Sequence, residues 1–338
     1  MQTIVLNEPE RFECRETDLP GPPSEGQVRV RVERVGVCGT DLHAFRGRQP
    51  FFSYPRILGH ELGVTISEIG PGVSNVGVGD QCAVEPYLTC GSCIACRKGK
   101  TNCCIHLQCL GVHTDGGMRS EILLPGEKLH RSDTLDTSQL ALVETLGIGA
   151  HAVDRASIEP GERALVIGAG PIGLSVIQFA TVAGATVGLL ELNPDRMGFA
   201  KSQFEVDRGF SDRDTVLDEL MAWTNDDLPT VVFDATGSPK SMATAFDFVA
   251  NGGRLVFVGL VQGEVAFSDP EFHRRETTLL ATRNSRAEDF RRIIGLMESG
   301  AVDTAPWITH TATYESFIDS FPGWLQPDAG VVKAMLEL

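Results

Sequence analysis

Apolar and charged residues alternate along much of the first part of the chain. The stretch QVRVRVERVGV (27–37) places an apolar side chain at almost every second position, which predicts half-buried strands. Glycine and proline interrupt this part at LPGPPSEG (19–26) and IGPGVSNVGVGD (69–80), as is typical of turns between short strands. Residues 1 to about 145 are therefore predicted to be rich in β-structure.

From about residue 150, short apolar runs alternate with helical stretches. RALVIG, ATVGLLE, VVFDATG and RLVFVGL are the strand candidates, and their spacing is that of βαβ units. This pattern predicts a parallel, doubly wound sheet of the α/β class. After about residue 285 the pattern of apolar and polar residues is mixed again. The stretch GVVKAMLEL (330–338) is predicted to add a closing strand.

Length and charge narrow the class of protein. A chain of 338 residues predicts two domains, and 42% apolar residues provide ample core. The net charge of −16 argues against nucleic acid and anionic membranes as partners, because both require a positive surface. The uncharged stretch 164–190 is interrupted by glycines and is not predicted to cross a membrane. No export signal is recognised at the start of the sequence, so a cytoplasmic location is expected.

The stretch LVIGAGPIGL (165–174) matches G-x-G-x-x-G between a predicted strand and a predicted helix. Such glycines allow a pyrophosphate to approach the backbone at a helix N-terminus. Glu191, which ends the next predicted strand, would bind ribose hydroxyls and repel a 2′-phosphate, so NAD is favoured over NADP. Arg196 would lie over the adenine or else be a solvated helix charge. The predicted cofactor-binding residues are Gly168, Gly170, Pro171, Ile172, Gly173, Glu191 and Arg196.

Five cysteines lie within CGSCIACRKGKTNCC (90–104). The spacing C-x2-C-x2-C-x7-C suits a tetrahedral zinc site that leaves no coordination position open, and such a site is structural. The predicted ligands are Cys90, Cys93, Cys96 and Cys104, with Cys103 as the alternative fourth ligand. The competing interpretation is a set of free or redox-active thiols.

A catalytic zinc needs mixed ligands and one open position. GVCGTDLH, RILGHELG and ALVETLGIG supply candidate ligands, namely Cys38, His60, Glu61 and Glu144. Glu144 carries the single charge of an apolar stretch, where a carboxylate must be paired or coordinated. Asp41 is expected to hold the far nitrogen of His60. Thr40 and His43 would pass a proton to solvent, or else cap a turn and lie at the surface.

Taken in order, these motifs resemble the medium-chain, zinc-dependent alcohol and polyol dehydrogenase family over essentially the whole chain. The resemblance implies a GroES-like β-barrel catalytic domain with a structural zinc loop at 1–148, a Rossmann NAD-binding domain at 149–285, and a return to the catalytic domain at 286–338. It implies two zinc ions per chain. One of them would be catalytic, ligated by Cys38, His60 and either Glu61 or Glu144. By analogy with the family, a homodimer or homotetramer is expected.

Two longer segments, RQPFFSYPRILGH (48–60) and FSDPEFHRRETTLLATRNS (267–285), resemble those of the sugar-acid branch, which is L-galactonate and L-gulonate 5-dehydrogenase-like. This resemblance implies transfer of hydride from a secondary alcohol of a sugar acid or polyol to NAD. A sugar acid needs a cation, and the candidates are Arg48, Arg56 and Arg283. Phe51 would wall the substrate pocket or pack in the core.

Two departures from the family pattern lie beside candidate metal ligands. Gly63 comes one residue early, so that Val64 takes the usual glycine position, and Thr145 replaces the usual proline. The alternative functions are a sorbitol- or threonine-like dehydrogenase and, in another class, a non-catalytic sensor that binds zinc and NAD. Zinc-free quinone reductases are disfavoured because they would not need Cys38, His60 and Glu61 together.

Overall fold

A computed structural model describes residues 1–49, 52–326 and 328–338. The strands, in chain order, are β1 (Gln2–Glu8), β2 (Arg11–Glu16), β3 (Gln27–Val37), β4 (Glu61–Ile69), β5 (Gln81–Val84), β6 (Tyr87–Leu88), β7 (Gln108–Cys109), β8 (Glu121–Pro125), β9 (Leu129–Ser132), β10 (Arg163–Ile167), β11 (Thr186–Leu190), β12 (Arg208–Phe210), β13 (Val231–Asp234), β14 (Arg254–Phe257), β15 (Thr278–Ala281), β16 (Ile308–Thr313) and β17 (Lys333–Glu337).

The α-helices are α1 (Gly39–Phe45), α2 (Ile94–Arg97), α3 (Thr137–Ala156), α4 (Pro171–Val182), α5 (Pro194–Gln203), α6 (Val216–Thr224), α7 (Pro239–Thr244), α8 (Asp269–Arg274), α9 (Ala287–Glu298) and α10 (Phe317–Trp324). Short 3₁₀ helices span Thr101–Cys103, Gly126–Lys128 and Ala245–Phe248. None of the helices in the described ranges is long and apolar enough to cross a bilayer.

The chain forms two compact units. The first consists of Met1–Thr145 with Arg286–Leu338, and the second of Leu146–Ser285. The predicted boundary between residues 148 and 149 falls inside α3, which continues from the first unit into the second. The predicted return at residue 286 coincides with the start of the second segment of the first unit.

The sheet of the first unit runs in the order β16-β17-β3-β4-β5-β9, and β8 also pairs with β3. Alternation along β3 buries Val28, Val30 and Val32, while the intervening arginines face outward or are half-buried. The closing strand predicted at the end of the chain is confirmed as β17, which pairs antiparallel with β3. Through this pairing, residues from the two ends of the sequence meet in one sheet.

The second unit is a six-stranded parallel sheet in the order β12-β11-β10-β13-β14-β15. The four predicted strands are confirmed as β10, β11, β13 and β14. They read as continuous apolar runs because helices cover both faces of such a sheet. The strands β10 to β12 are added toward one edge of the sheet and β13 to β15 toward the other, so the strand order reverses between β10 and β13. Ligands of open α/β sheets bind outside the carboxyl ends of the strands at such a point.

Candidate metal centres and dinucleotide site

The cysteine loop gathers four thiols around one point. The sulfur atoms of Cys90, Cys93, Cys96 and Cys104 all lie within 4.8 Å of one another. Backbone N–H groups of Ser92 and Cys93 donate to Cys90, which lowers its thiol pKa to about 5. Exposed Cys103 lies outside this group. Four thiol ligands at this spacing fit a closed tetrahedral zinc site, with Cys104 as the fourth ligand.

A second group of metal-binding side chains lies in the same unit. Cys38 precedes α1, His60 directly precedes β4, and Glu61 is the first residue of β4. One ligand atom of each of these three residues lies within 4.8 Å of the others. His60 and Glu61 are buried, and Cys38 is half-buried. The arrangement supplies the thiolate, imidazole and carboxylate that a catalytic zinc takes.

The carboxylate of Glu61 is paired with a lysine. Lys333, the first residue of β17, donates from Nζ to Oε1 at 2.6 Å and to Oε2 at 2.8 Å of Glu61. Both side chains are almost fully buried. Burial alone would lower the pKa of Lys333, but the charge of Glu61 raises it above its usual value. Lys333 therefore remains protonated and neutralises Glu61.

Glu144 lies on α3 and is also buried, although it is outside the group of atoms within 4.8 Å. The hydroxyl of Tyr87 donates to its Oε1. Burial raises the pKa of Glu144, since the surrounding protein solvates the charge less well than water. Its hydrogen-bond donor is the neutral hydroxyl of Tyr87, and the charges of His60 and Lys333 counteract part of the effect of burial.

The charge balance of this region fits a divalent metal. Asp41, Glu61 and Glu144 are three buried carboxyl groups, and Lys333 is their one buried ammonium neighbour in the described part of the chain. Nδ1 of His60 and Oδ1 of Asp41 are buried without a hydrogen-bond partner among the described residues. Burial would lower the pKa of His60, but the charge of Asp41 raises it well above its usual value, so the imidazolium is a second cation here. A zinc ion bound by His60 would replace that proton as the compensating charge.

Asp41 lies beside His60 but does not hydrogen-bond to it. Oδ1 of Asp41 is 3.9 Å from Nδ1 of His60, which is an electrostatic contact longer than a hydrogen bond. Oδ2 instead accepts from the backbone N–H of Cys38 at 2.9 Å and fixes the start of α1. Thr40 is half-buried in the first turn of α1, and His43, three residues later, is exposed.

The two departures from the family pattern have local explanations. A Cβ atom at Gly63 would lie 1.8 Å from the carbonyl oxygen of Thr137, so glycine allows β4 to pass the start of α3, the helix that carries Glu144. Val64 is fully buried in the core. The hydroxyl of Thr145 accepts from Nζ of Lys333 at 3.4 Å, a contact that proline could not make.

The glycine-rich turn of the second unit is shaped for a phosphate group. Gly168 has a φ of +97°, and a Cβ at Gly173 would lie 1.8 Å from the carbonyl oxygen of Gly168. A Cβ at Gly170 would meet nothing within 4 Å, which leaves open space at the N-terminus of α4. Pro171 and Ile172 begin this helix. The turn therefore fits the pyrophosphate of a dinucleotide.

Glu191 follows β11, next to the glycine-rich turn. Its Oε2 accepts from the backbone N–H of Ala169 at 2.8 Å, and its Oε1 accepts from that of Asn193 at the same distance. A carboxylate held at this position fits ribose hydroxyls. Arg196 is exposed on α5, where its backbone N–H donates to the side chain of Asn193.

The structure supports the candidate substrate residues less than it supports the candidate metal ligands and the dinucleotide turn. Arg48 and Arg283 are exposed and belong to different units, and Phe51 lies outside the described residues. Arg56 donates to Ser53 at 2.8 Å and lies 3.4 Å from Asp115, so its charge is already engaged.

The metal region comprises Cys38, Asp41, His60, Glu61 and Glu144 with the side chains that contact them. Sequence reasoning missed three residues of this region. Lys333 lies in GVVKAMLEL (330–338), where Glu337 is the one other charged residue, so a charge in a mostly apolar strand is the signal that could have found it. Tyr87 carried no signal, because its partner lies 57 positions along the chain. Cys109 pairs with Tyr87 across β6 and β7, and its pKa is raised to about 12 by burial and by nearby negative charges.

Comparison with known proteins agrees with this geometry. Residues 24–134 match the alcohol dehydrogenase GroES-like domain, and residues 171–299 match the zinc-binding dehydrogenase family. The chain is 38% identical over 324 residues to L-galactonate-5-dehydrogenase of Escherichia coli (strain K12), covering 95% of this chain and 94% of that one. It is 33% identical over 318 residues to 2-dehydro-3-deoxy-L-galactonate 5-dehydrogenase of Pseudoalteromonas atlantica, with coverage of 93% and 92%.

A solved structure extends the agreement to three dimensions. RspB of E. coli CFT073, described as an alcohol dehydrogenase in complex with NADH, superposes with a TM-score of 0.93 at 28% identity, covering 100% of this chain and 99% of that one. The predicted fold class, a Rossmann domain with a GroES-like domain, is confirmed. The chain therefore belongs to the medium-chain, zinc-dependent alcohol and polyol dehydrogenase family and is an NAD-dependent oxidoreductase.

Proposed function

We propose that this protein oxidises a secondary alcohol of a sugar acid with NAD. The observation that carries the proposal is the group of Cys38, His60 and Glu61 in the first unit, together with the buried Glu144 of α3, which lies outside that group. A zinc ion bound there would polarise the substrate hydroxyl and lower its pKa. Cys38, His60 and Glu144 would hold the ion, and Glu61 would remain paired with Lys333.

The chain's own residues account for the remaining steps. The turn at Gly170 would bind the pyrophosphate of NAD, and Glu191 would bind its ribose hydroxyls. The proton of the substrate hydroxyl would pass to the hydroxyl of Thr40. His43, which lies three positions further along α1 and is exposed, would transfer that proton to solvent.

The substrate class is supported by the named relatives. L-galactonate-5-dehydrogenase and 2-dehydro-3-deoxy-L-galactonate 5-dehydrogenase both act on sugar acids, and sorbitol dehydrogenases match at 30–32% identity. Either Arg48 or Arg283 is the proposed cation for the substrate carboxylate, and Phe51 is the proposed pocket wall.

NADH formation by purified, zinc-replete protein tests the substrate class. The panel holds L-galactonate, L-gulonate, sorbitol, L-threonine and ethanol, each with NAD and with NADP. We expect kcat/KM for an aldonate to exceed that for sorbitol by at least about 10-fold, since binding one carboxylate by charge-assisted hydrogen bonds contributes about 1.5–3 kcal/mol. Equal activity on sorbitol would favour the polyol alternative, and equal rates with NADP would contradict the role of Glu191.

We also propose a homodimer and a cytoplasmic location. Strand β15 lies at an edge of the second unit's sheet, and its Leu279 is 37% exposed. Free cysteines throughout the described chain are in keeping with a reducing compartment. Sedimentation velocity should show a dimer for the wild type and a larger monomer fraction for Leu279→Lys. A monomeric wild type would contradict the proposed assembly.

A further inference from the structure

Tyr87 is a buried side chain to which the proposed function assigns no role. Its side chain is 2% exposed, and its hydroxyl donates to Oε1 of Glu144. We infer that Tyr87 is a positioning residue that orients the Glu144 carboxylate toward the metal bound by Cys38 and His60. This inference rests on the proposed function, because it assumes a metal at that site.

The backbone around Tyr87 is held on both sides. Tyr87 pairs with Cys109 across β6 and β7, and the carbonyl of the preceding Pro86 accepts from the N–H of Leu110 at 3.1 Å. These bonds fix the direction in which the tyrosine side chain leaves the strand. Its hydroxyl therefore reaches α3 from a fixed starting point.

A buried ion pair holds the same segment from the other side. Nζ of Lys128 donates to Oε1 of Glu85 at 2.6 Å, and the backbone N–H of Glu85 donates to the carbonyl of Lys128 at 2.8 Å. His130 lies 3.5 Å from the second carboxylate oxygen of Glu85. Buried pairs of this kind are strongly destabilised when one partner is removed, so Glu85 ties the segment to β9.

The two glutamates of the metal region have different partners. Glu61 is held through both oxygens by the cation Lys333, which cancels its charge. Glu144 is held through one oxygen by the neutral phenol of Tyr87. The phenol can therefore fix the direction of the carboxylate without cancelling its charge, and that charge remains available to a cation. Hydrogen bonds to metal-ligating carboxylates act in this way.

Substitution of Tyr87 by phenylalanine keeps the ring and removes the hydroxyl. We expect Y87F to bind one of its two zinc ions about 10-fold more weakly than the wild type, the lower end of the range for such partners. Zinc affinity of the full chain would be measured by competition with a chromophoric chelator. Tyr314→Phe is the matched control, because its hydroxyl contacts the backbone of Thr3 and Arg15, and its zinc affinity should not change.

Two further variants make the test specific. C38A should bind a single zinc ion and thereby identify which ion is weakened in Y87F. If Tyr87 acts through Glu144, adding Y87F to an E144Q background should change zinc affinity by less than about twofold, while its effect should persist in E61Q. A merely structural role would give the same loss in both backgrounds.

The outcomes separate this inference from the proposed function. Unchanged or tighter zinc binding by Y87F, or an equal loss in E144Q and E61Q, would overturn the role of Tyr87. A zinc-replete wild type that binds one ion, with C38A indistinguishable from it, would instead overturn the catalytic metal site itself.

Discussion

Replacing His60 by alanine is expected to abolish turnover while leaving NAD binding intact. The imidazole is one of the three side chains proposed to hold the catalytic zinc, and it is buried beside Cys38 and Asp41. Metal polarisation of a reacting oxygen contributes several kcal/mol, so we expect kcat/KM to fall by at least about 10³-fold. NAD binding is proposed for the glycine-rich turn, whose residues belong to the other unit.

This prediction is checked by three measurements on one preparation, namely initial rates, zinc content and NADH affinity by fluorescence. His310→Ala serves as the control, because that ring contacts the neighbouring Thr309 on β16 and not the metal region. We expect the control to retain two zinc ions and full activity. H60A with activity within 10-fold of the wild type would show that His60 does not hold a catalytic metal.

Replacing Cys93 by serine is expected to affect stability rather than chemistry. Its buried thiol lies 3.5 Å from the sulfur of Cys96, inside the four-cysteine group. A zinc ion bound by four thiolates has no open position and contributes to folding instead of catalysis. We expect C93S to lose one zinc ion and to lower the free energy of unfolding by more than about 4 kcal/mol. Turnover per folded molecule should stay within about twofold of the wild type.

Zinc content, thermal unfolding and rate per folded molecule check this second prediction. Cys103→Ser is the matched control, since Cys103 is exposed and lies next to Cys104 without joining the group. C103S should retain both ions and the wild-type stability. Loss of zinc in C103S would make Cys103 the fourth ligand, and two zinc ions in C93S would contradict a closed site.

The sequence alone pointed to the side chains proposed for both metal sites because they lie in short motifs. Cys90, Cys93 and Cys96 are separated by two residues each, so the loop brings them together whatever the rest of the chain does. The glycine-rich turn and Glu191 were recognisable for a related reason, since a strand, a tight turn and a helix follow one another directly along the chain. For the cysteine loop and the glycine-rich turn, residues that are close in sequence already fix most of the geometry.

Contacts between distant parts of the chain could not be derived in this way. The sequence left Glu61 and Glu144 as equal candidates for the catalytic site. Their difference depends on Lys333, which is 272 positions from Glu61, and on Tyr87, which is 57 positions from Glu144. The same holds for Asp41, where the expected hydrogen bond to His60 is a 3.9 Å contact between a residue of α1 and the residue before β4.

By itself, the sequence determined the fold class, the order of the elements, the cysteine loop, the dinucleotide turn and the set of candidate zinc ligands. Strand periodicity and ligand spacing are local properties, and local properties can be read along the chain. Only the tertiary structure decided which buried carboxylate is neutralised by a lysine and which is held by a phenol. Charge compensation inside a protein depends on which side chains share a low-dielectric region, and the pairing of β17 with β3 determines this for Glu61.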